Sequence, residues 1–216
     1  NLMFSQSNKV LKLIEEGEAY HRLDNTKEAL EKYEKAYKIE PDNLMVNYYM
    51  AFANSDLGNS EEAYKYSKAI IGKGGEYEEL AYVFNGAALV EMGKLEAALN
   101  IFYEGLGKYL YNGSLHYNLA YTAMSLGRLE LSYESIINSI KVNPIDGSSH
   151  NIFGQLTYNS SKTYSFYGFL YTLLMTDETD SSKEIMDLIV DILEGGNNIE
   201  TDELYKISLV YEPKDL

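Results

Sequence analysis

Small and apolar residues recur along the chain with a period of about 34 positions, and each period contains a polar turn. Three of these turns carry a glycine that is followed, five positions later, by a small or hydroxyl-bearing residue. The glycines are Gly58, Gly93 and Gly127, and the residues that follow them are Ala63, Ala98 and Ser132. Because a glycine in the left-handed conformation commonly ends a helix, each turn is typical of a junction between two helices.

The same pattern extends by one period in each direction. Ala29 occupies the small position in the preceding period, and Phe166 occupies it in the following one. Another small residue lies seven positions before each turn: Gly17, Ala51, Gly86, Ala120 and Gly154. The chain therefore divides into five predicted repeats, of which the fifth diverges most. Their ranges are 10–43, 44–77, 79–112, 113–146 and 147–176.

These repeats resemble the tetratricopeptide repeat (TPR), whose units of about 34 residues are pairs of antiparallel helices. The first repeat matches the family pattern well, at Leu13, Gly17, Tyr20, Ala29, Tyr33, Ala36 and Pro41. The resemblance covers residues 10–176 and implies an all-α fold, a right-handed α-solenoid of antiparallel helix hairpins. It also implies that function lies on the concave surface, which the first helix of each repeat lines.

Packing considerations favour the same fold. Small residues in both helices of a repeat let the two backbones approach closely, while Tyr and Phe fill the space between neighbouring helices. A single hairpin leaves an apolar face exposed, so the repeats must stack to be stable. The chain has only three prolines, which favours helices. Asp42 or Asn43, after Pro41, is expected to cap the next helix.

The stretch from Thr163 to Thr176 contains no charged residue. As a helix it would span about 21 Å, which is less than the ~30 Å thickness of a bilayer's hydrocarbon core, so we expect no membrane span. We predict instead the second helix of the fifth repeat, with Phe166 in the small position, Leu170 in the aromatic position and Leu173 in the second small position. A residue as large as Phe166 predicts a wider or tilted hairpin there.

Residues 177–216 carry twelve acids and three bases, and we expect them to form acidic C-terminal capping helices or a tail. A capping box at Ser181 and Glu184 predicts an amphipathic helix over 182–194. We predict that this helix covers the uncharged helix of the fifth repeat, with its acids facing solvent. Its apolar stripe consists of Ile185, Met186, Leu188, Ile189, Ile192 and Leu193. A further helix or, as a weaker alternative, a short strand is predicted over 202–211.

Charge and composition exclude several classes of function. The formal net charge of −15 argues against nucleic-acid binding, which relies on clustered Lys and Arg to neutralise phosphates. The chain has no cysteine, so disulfides, thiolate metal sites and a Cys nucleophile are excluded. His116 and His150 occupy the same repeat position, which indicates packing rather than a metal pair. No catalytic triad or dinucleotide motif is recognisable, and the glycine-rich residues 72–77 fit a flexible connector better than a phosphate loop. We therefore expect no enzyme activity, no cofactor and no metal.

The inward positions of the predicted first helices form an aromatic and aliphatic groove that becomes polar towards the fifth repeat. We predict that a partner binds there, and the candidate residues are Met45, Tyr48, Phe52, Val83, Tyr117, Tyr121, Met124, Asn151, Gln155 and Tyr158. Tyr and Met are common on adaptable recognition surfaces. Some members of the family grip a C-terminal carboxylate with Lys, Asn and Arg. The corresponding positions here are Ile14, Glu18, Tyr49, Leu80 and Phe84, so we expect no carboxylate clamp.

The leading hypothesis is a non-catalytic interaction module that holds a peptide or helix of a partner protein in this groove. The alternative is a structural element, a spacer or an oligomerisation repeat, whose groove is filled internally by a terminal helix. The near absence of charge over 147–176 motivates homo-oligomerisation through the fifth repeat. A third hypothesis, an enzyme or small-ligand protein framed by the repeats, lacks a cluster of acids or histidines.

The compartment is left open by the sequence. The chain begins at Asn1 and carries no recognisable signal peptide. We expect a soluble protein that is either cytoplasmic or exported with a signal segment absent from this chain. The abundance of Asn, Ile, Lys and Tyr favours a bacterial source with an AT-rich genome.

Overall fold

The computed structural model of the protein describes residues 2–175 and 180–195, and every regular element in that part of the chain is an α-helix. Two compact units are formed, one up to Thr122 and one from Ala123. In chain order the helices are α1 (Leu2–His21), α2 (Thr26–Tyr37), α3 (Leu44–Asp56), α4 (Ser60–Ile70), α5 (Glu78–Glu91), α6 (Leu95–Lys108), α7 (Gly113–Ser125), α8 (Leu129–Val142), α9 (Gly147–Thr157), α10 (Lys162–Met175) and α11 (Asp180–Gly195).

The helices pack in the order in which they follow each other. In the first compact unit α1 pairs with α2, α3 with α4 and α5 with α6, while α2 packs on α3 and α4 packs on α5. In the second compact unit α8 packs on α9, α9 pairs with α10, and α10 packs on α11. The prediction of an all-α fold built from helix hairpins, with a C-terminal capping helix, is confirmed.

A left-handed residue lies in the turn of each of the first four predicted repeats. Gly58, Gly93 and Gly127 each have a φ of +72°, and Asp24 takes this place in the first repeat with a φ of 57°. The residue that follows Gly58 donates its N–H to the carbonyl of Asn54 at 2.8 Å. This bond satisfies a carbonyl at the end of α3 and reverses the chain within a few residues.

Polar side chains cap the helices that begin after the longer loops. Of the two candidates at the start of α3, Asn43 is the cap, since its Oδ1 accepts from the N–H groups of Met45 (3.0 Å) and Val46 (3.3 Å). Asn112 and Asp146 do the same for α7 and α9, at 2.7 and 3.0 Å. These caps satisfy backbone donors that a helix start otherwise leaves unpaired.

Three hairpins close by placing an aromatic ring of the second helix directly over a glycine of the first. The pairs are Gly17 with Tyr33, Gly86 with Phe102 and Gly154 with Phe169. A Cβ on these glycines would lie 2.2, 2.1 and 2.7 Å from the nearest ring carbon. No other residue type fits without moving the ring, which explains why small residues recur at this position.

The second predicted repeat has a serine in the position of the ring, and this serine is hydrogen-bonded within α4 and to α5. The buried Ser67 donates to the carbonyl of Ala63 at 2.7 Å and accepts from Asn85 of α5 at 3.0 Å. Asn47 and Asn54, which stand where large apolar residues are usual, are buried and donate to backbone carbonyls. Buried polar groups are tolerated here because they are hydrogen-bonded.

The predicted widening of the fifth hairpin is wrong. A Cβ on Gly168 would lie 2.7 Å from the backbone nitrogen of Gly154, so α9 and α10 approach each other backbone to backbone. Ser165, rather than Phe166, faces this contact, and its hydroxyl donates to the carbonyl of Gly154 at 2.8 Å. The hairpin is therefore closer than the predicted register allowed.

The physical reason is a turn that is one residue shorter than in the other repeats. Ser165 follows Gly154 by eleven positions, whereas Ser132 follows Ala120 by twelve. The shift moves every assignment in α10 by one residue, so that Phe169 replaces Leu170 in the aromatic position and Thr172 replaces Leu173 in the second small position. Phe166 is instead partly buried against the cluster that Phe169 forms with the isoleucines of α11.

The helix that was predicted over 182–194 forms α11 and packs on α10 as a cap. Ile185, Ile189 and Ile192 are buried against Phe169. The acids on the other side are exposed: Glu184, Asp187, Asp191 and Glu194. The uncharged helix of the fifth repeat is thus covered by the chain's own next helix.

Two details of the predicted cap differ. α11 begins at Asp180, so Ser181 lies inside its first turn rather than at the N-cap position. The apolar stripe is narrower than predicted, because Met186 and Leu193 are 50% and 54% exposed. The second element, predicted over 202–211, lies outside the described residues.

The connector between α4 and α5 is held by a buried carboxylate. Gly72, Gly74 and Gly75 adopt φ values of +83°, +71° and +90°. Glu78 accepts hydrogen bonds from the Gly72 N–H (2.5 Å), the Lys108 Nζ (3.0 Å) and the Tyr109 hydroxyl (2.8 Å). Burial raises the pKa of Glu78, but the donors outweigh burial and hold the pKa below its ordinary value.

Candidate functional site

Five rings in the first compact unit form one continuous surface, which we call the aromatic face. It consists of His21 in α1, Tyr48 and Phe52 in α3, Tyr77 just before α5, and Phe84 in α5. Tyr48 lies at the centre, with its ring centroid 5.1 Å from Tyr77, 5.9 Å from Phe84 and 6.3 Å from Phe52. Phe52 stacks on His21 at 4.2 Å and also packs against Phe84 at 5.9 Å.

The repeat pattern explains why these rings meet. Tyr48 and Phe52 lie one helical turn apart on α3, so they share a face. α3 also contacts α5, which brings Phe84 to the same surface. All five side chains are half-buried, intermediate between core and surface. A continuous half-exposed aromatic surface of this kind is typical of a binding site for another molecule.

Tyr49 connects the aromatic face to the core beneath it. Its ring centroid lies 5.0 Å from that of Tyr48 and 5.0 Å from that of the fully buried Tyr33. Its hydroxyl donates to Glu18 of α1. The rings of the face are therefore fixed from below by packing and by a hydrogen bond to a neighbouring helix, which favours a preorganised surface.

Acidic side chains border the aromatic face. Glu18 is half-buried, whereas Asp56 and Glu76 are exposed. The His21 Nε2 lies 2.6 Å from the Asp56 Oδ2. Burial, followed by the hydrogen bond and charge of Glu76, raises the pKa of Tyr77 to about 12. The hydroxyl of Tyr77 is therefore neutral at neutral pH.

An open pocket of about 540 Å³ adjoins the aromatic face. Tyr77 belongs to both, and Met45, at the start of α3, also lines the pocket. The remaining wall comes from the glycine connector and the end of the preceding loop, at Asn43, Leu44, Gly74, Gly75 and Glu76. An apolar side chain of a bound segment fits such a recess better than a flat surface.

The predicted binding residues fall on several parts of the described chain. Met45, Tyr48, Phe52 and Val83 are all half-buried in the first compact unit. Tyr117, Tyr121 and Met124 lie on α7, where Tyr121 is 43% exposed. Asn151 and Gln155 lie on α9, with Gln155 donating to Asn151 at 3.1 Å. Their role in binding stays a prediction.

Tyr158 has a different environment from the other predicted residues. Its hydroxyl donates to Asp191 of α11, and its ring packs near Phe169 at a centroid distance of 6.4 Å. The Lys162 Nζ lies over the same ring, 3.4 Å from its centroid. The capping helix thus contacts this residue.

His21, Tyr77 and Phe84 complete the aromatic face but were not among the predicted binding residues. Tyr77 precedes α5 and therefore lies outside the helical positions from which the groove was predicted. Phe84 directly follows the predicted Val83. The sequence signal that could have identified Tyr77 and Phe84 is the density of aromatic residues in 77–84. Tyr82 is the buried ring of that stretch, which leaves the other two as candidates for the surface.

His116 and His150 tether loops. Their Nε2 atoms lie 2.9 and 2.8 Å from the carbonyl oxygens of Leu110 and Pro144, each six residues earlier. Asn47, at the same repeat position, donates to the carbonyl six residues before it at 2.7 Å. Burial lowers the pKa of both histidines, although the backbone hydrogen bonds act in the other direction.

No group of three or more His, Asp or Glu side chains that could hold a metal ion occurs in the part of the chain that the structure describes. Of the described helices, none combines the length and the apolar character that crossing a lipid bilayer requires.

The repeat geometry agrees with comparisons to known proteins. Two segments match the tetratricopeptide repeat, at residues 10–43 and 113–146, with the boundaries predicted for the first and fourth repeats. These two segments are tetratricopeptide repeats. No curated protein matches the chain by sequence.

Several solved TPR structures share the fold at low sequence identity. PilF of Pseudomonas aeruginosa is 16% identical with a TM-score of 0.71, over 96% of each chain. A thermophilic TPR protein of Thermus thermophilus is 17% identical with a TM-score of 0.66, over 86% of this chain and 97% of that one. YrrB, described as a TPR protein with an unusual peptide-binding site, is 12% identical with a TM-score of 0.57, over 81% and 90%. The TPR fold is a scaffold for protein–protein interaction, which is the class of function that it supports here.

Proposed function

We propose that this TPR protein is a non-catalytic interaction module that binds an extended or helical segment of a partner protein on the aromatic face. The observation that carries the proposal is the continuity of five half-buried rings across α1, α3 and α5, with Tyr48 in contact with three of the others. Rigid aromatic side chains supply a large contact area at low entropic cost, and they dominate the energetics of many interfaces.

The adjoining pocket supports the proposal. Met45 and Tyr77 line a recess of about 540 Å³ at the edge of the aromatic face. A bound segment can lay its backbone over the rings and insert one apolar side chain between Met45 and the glycine connector. YrrB, which shares the fold, is described as binding a peptide at an unusual site. That precedent concerns YrrB, and it makes a peptide ligand a reasonable one to test here.

The proposed surface excludes Tyr158, because its hydroxyl donates to Asp191 of the capping helix. For this part of the chain the contact favours the alternative in which a terminal helix fills the groove. The lack of charge in the fifth repeat no longer favours homo-oligomerisation through that repeat, because α11 of the same chain packs on the uncharged helix α10.

The test is selection of short random peptides by phage display on the immobilised wild-type protein. The affinity of recovered peptides is then measured by fluorescence anisotropy on the double variant Tyr48→Ala with Phe52→Ala. We expect the double variant to lose at least about tenfold in affinity, because it removes the centre of the surface. The control is Tyr103→Ala with Tyr111→Ala, which removes two exposed aromatic rings elsewhere in the first compact unit. If both double variants bind as the wild type does, the aromatic face is not the binding site.

A further inference from the structure

We propose that the partner segment is basic, and that it seats an arginine side chain between Glu18 and the rings of Tyr48 and Tyr77. The inference rests on the proposed function and adds to it the chemistry of the partner. It follows from the position of one carboxylate, from two neighbouring rings over which the described residues place no cation, and from the charge around them.

Glu18 is a half-buried carboxylate among aromatic rings. Its Oε1 accepts from the Tyr49 hydroxyl, and within the described residues no group donates to its Oε2. After burial itself, the charge of Glu18 is a cause of the raised pKa of Tyr33 and Tyr48, and it also contributes at Tyr77. A carboxylate that is partly removed from water and short of donors is stabilised by a cationic donor.

The rings of Tyr48 and Tyr77 can contribute a second contact with a cation that binds Glu18. A cation is attracted to the face of a tyrosine ring, and the chain uses this contact elsewhere, as with Lys65 over Tyr66 at 4.6 Å and Lys108 over Tyr82 at 5.3 Å. Over Tyr48 no lysine or arginine from the described part of the chain is placed in this way, and the same holds for Tyr77. An incoming cation can therefore contact a carboxylate and a ring together.

The surrounding charge selects the same partner. Asp56 and Glu76 are exposed at two edges of the aromatic face. Arg22, four residues after Glu18 and just past the end of α1, is exposed and carries the opposing charge. Complementary potential accelerates association with a basic segment and disfavours acidic ones, including segments that end in a free carboxylate.

Arginine is favoured over lysine by geometry. Its planar guanidinium can stack on a tyrosine ring while its N–H groups reach a carboxylate, and it is less strongly hydrated than an ammonium group. The site therefore discriminates between two side chains of equal charge. An interaction that depended on net charge alone would not do so.

The first arm of the test is the composition of peptides recovered from the phage-display selection described above. We expect enrichment of Arg, and to a lesser degree Lys, next to apolar residues, together with depletion of Asp and Glu. Peptides that require Tyr48 and Phe52 but are neutral or acidic would overturn the basic partner while leaving the proposed function intact. Recovery of no peptide that depends on Tyr48 and Phe52 would instead overturn the proposed function.

The second arm is a double-substitution cycle on one recovered peptide. Replacing its arginine with citrulline, a neutral side chain of the same shape, should lower affinity for the wild type by about tenfold or more. The same replacement should have a much smaller effect on Glu18→Gln, and replacement with lysine should have an intermediate effect on the wild type. Glu91→Gln is the matched control, because it removes one exposed charge at the far end of α5. Equal losses on the wild type and on Glu18→Gln would show that the arginine binds elsewhere and would overturn the assignment.

Discussion

The ring of Phe102 in α6 occupies the space that a side chain on Gly86 of α5 would need, since a Cβ on Gly86 would lie 2.1 Å from the ring carbon Cε1. The same relationship joins Gly17 to Tyr33 in the first hairpin. Phe102 and Tyr33 are both fully buried. The recurring small residue is therefore a condition for closing the hairpin, and its substitution has a definite expected cost.

We predict that Gly86→Ala lowers the free energy of unfolding by about 1–3 kcal/mol, because α5 and α6 must separate or Phe102 must leave its rotamer. Gly107→Ala in α6 is the matched control. Nothing lies within 4 Å of a Cβ there. Alanine is also the better helix former, so Gly107→Ala should be neutral or stabilising by up to about 1 kcal/mol. Urea unfolding followed by circular dichroism measures the free energy of unfolding of both variants. Equal values would contradict the claim that the Phe102 ring leaves no room for a side chain on Gly86.

The hydrogen bonds of Glu78 give a second prediction. Glu78 is 3% exposed and accepts from Gly72, Lys108 and Tyr109. We predict that Glu78→Gln lowers the free energy of unfolding by about 2–4 kcal/mol, because hydrogen bonds to a buried charge are lost or weakened. Glu91→Gln removes the same charge from an exposed position and should change stability by less than about 0.5 kcal/mol. Thermal unfolding of the two variants at neutral pH distinguishes a structural carboxylate from a surface one.

Acidification should weaken the fold through the two buried histidines. Burial lowers the pKa of His116 and His150 below the ordinary value, while an unfolded histidine titrates near ~6.5. Between the folded and unfolded pKa values the unfolded chain binds more protons. Stability is therefore fully present above the unfolded pKa and falls as the pH falls towards the folded pKa.

The control for this pH dependence is present in the chain itself. Asn47 makes the equivalent bond to a loop carbonyl without titrating, so the double variant His116→Asn with His150→Asn keeps a donor at both positions. We predict a shallower decline in the free energy of unfolding for this variant between neutral pH and about pH 5.5. Parallel declines for the variant and the wild type would assign the pH dependence to other groups.

The capping helix gives a fourth prediction. Ile189 is 6% exposed against Phe169, whereas its neighbour Val190 is 42% exposed. Ile189→Asp places a charge in an apolar contact, and we predict that it costs about 2–4 kcal/mol and accelerates amide hydrogen exchange in α10 and α11. Val190→Asp makes the same chemical change one position away and should leave exchange in α10 unchanged. Slow exchange in both variants would mean that α11 does not protect α10.

The repeat could be predicted because its turns and closures admit few residues. The left-handed φ at Gly93 and the ring packed on Gly86 each favour glycine strongly. The spacing of the glycines therefore predicts where the turns and the helix contacts of the repeats lie. The fifth hairpin shows the limit. Ser160 and Ser161 form its turn without a glycine to mark the register, and one missing residue displaced every assignment in α10.

The candidate site could be predicted only where it lies on helices. Tyr48 and Phe52 follow from their place on α3, but Tyr77 reaches the aromatic face from a connector. The path of that connector depends on left-handed glycines and on the hydrogen bonds that Glu78 makes to it. Such tertiary contacts have no local sequence period, and the linear pattern therefore could not reveal them.

Stacking of similar hairpins does not by itself limit their number, because each added hairpin exposes an apolar surface on which another can pack. α11 differs from such a hairpin because its two sides differ. Its isoleucines pack on α10, whereas Glu184, Asp187 and Asp191 are exposed on its other side. On its exposed side the acids are interspersed with Met186, Val190 and Leu193, so that α11 presents a mixed surface rather than a continuous apolar one. The sixteen residues of α11 are thus enough to cover the apolar side of one hairpin, and transplanting them to an earlier junction is the natural route to a shorter array.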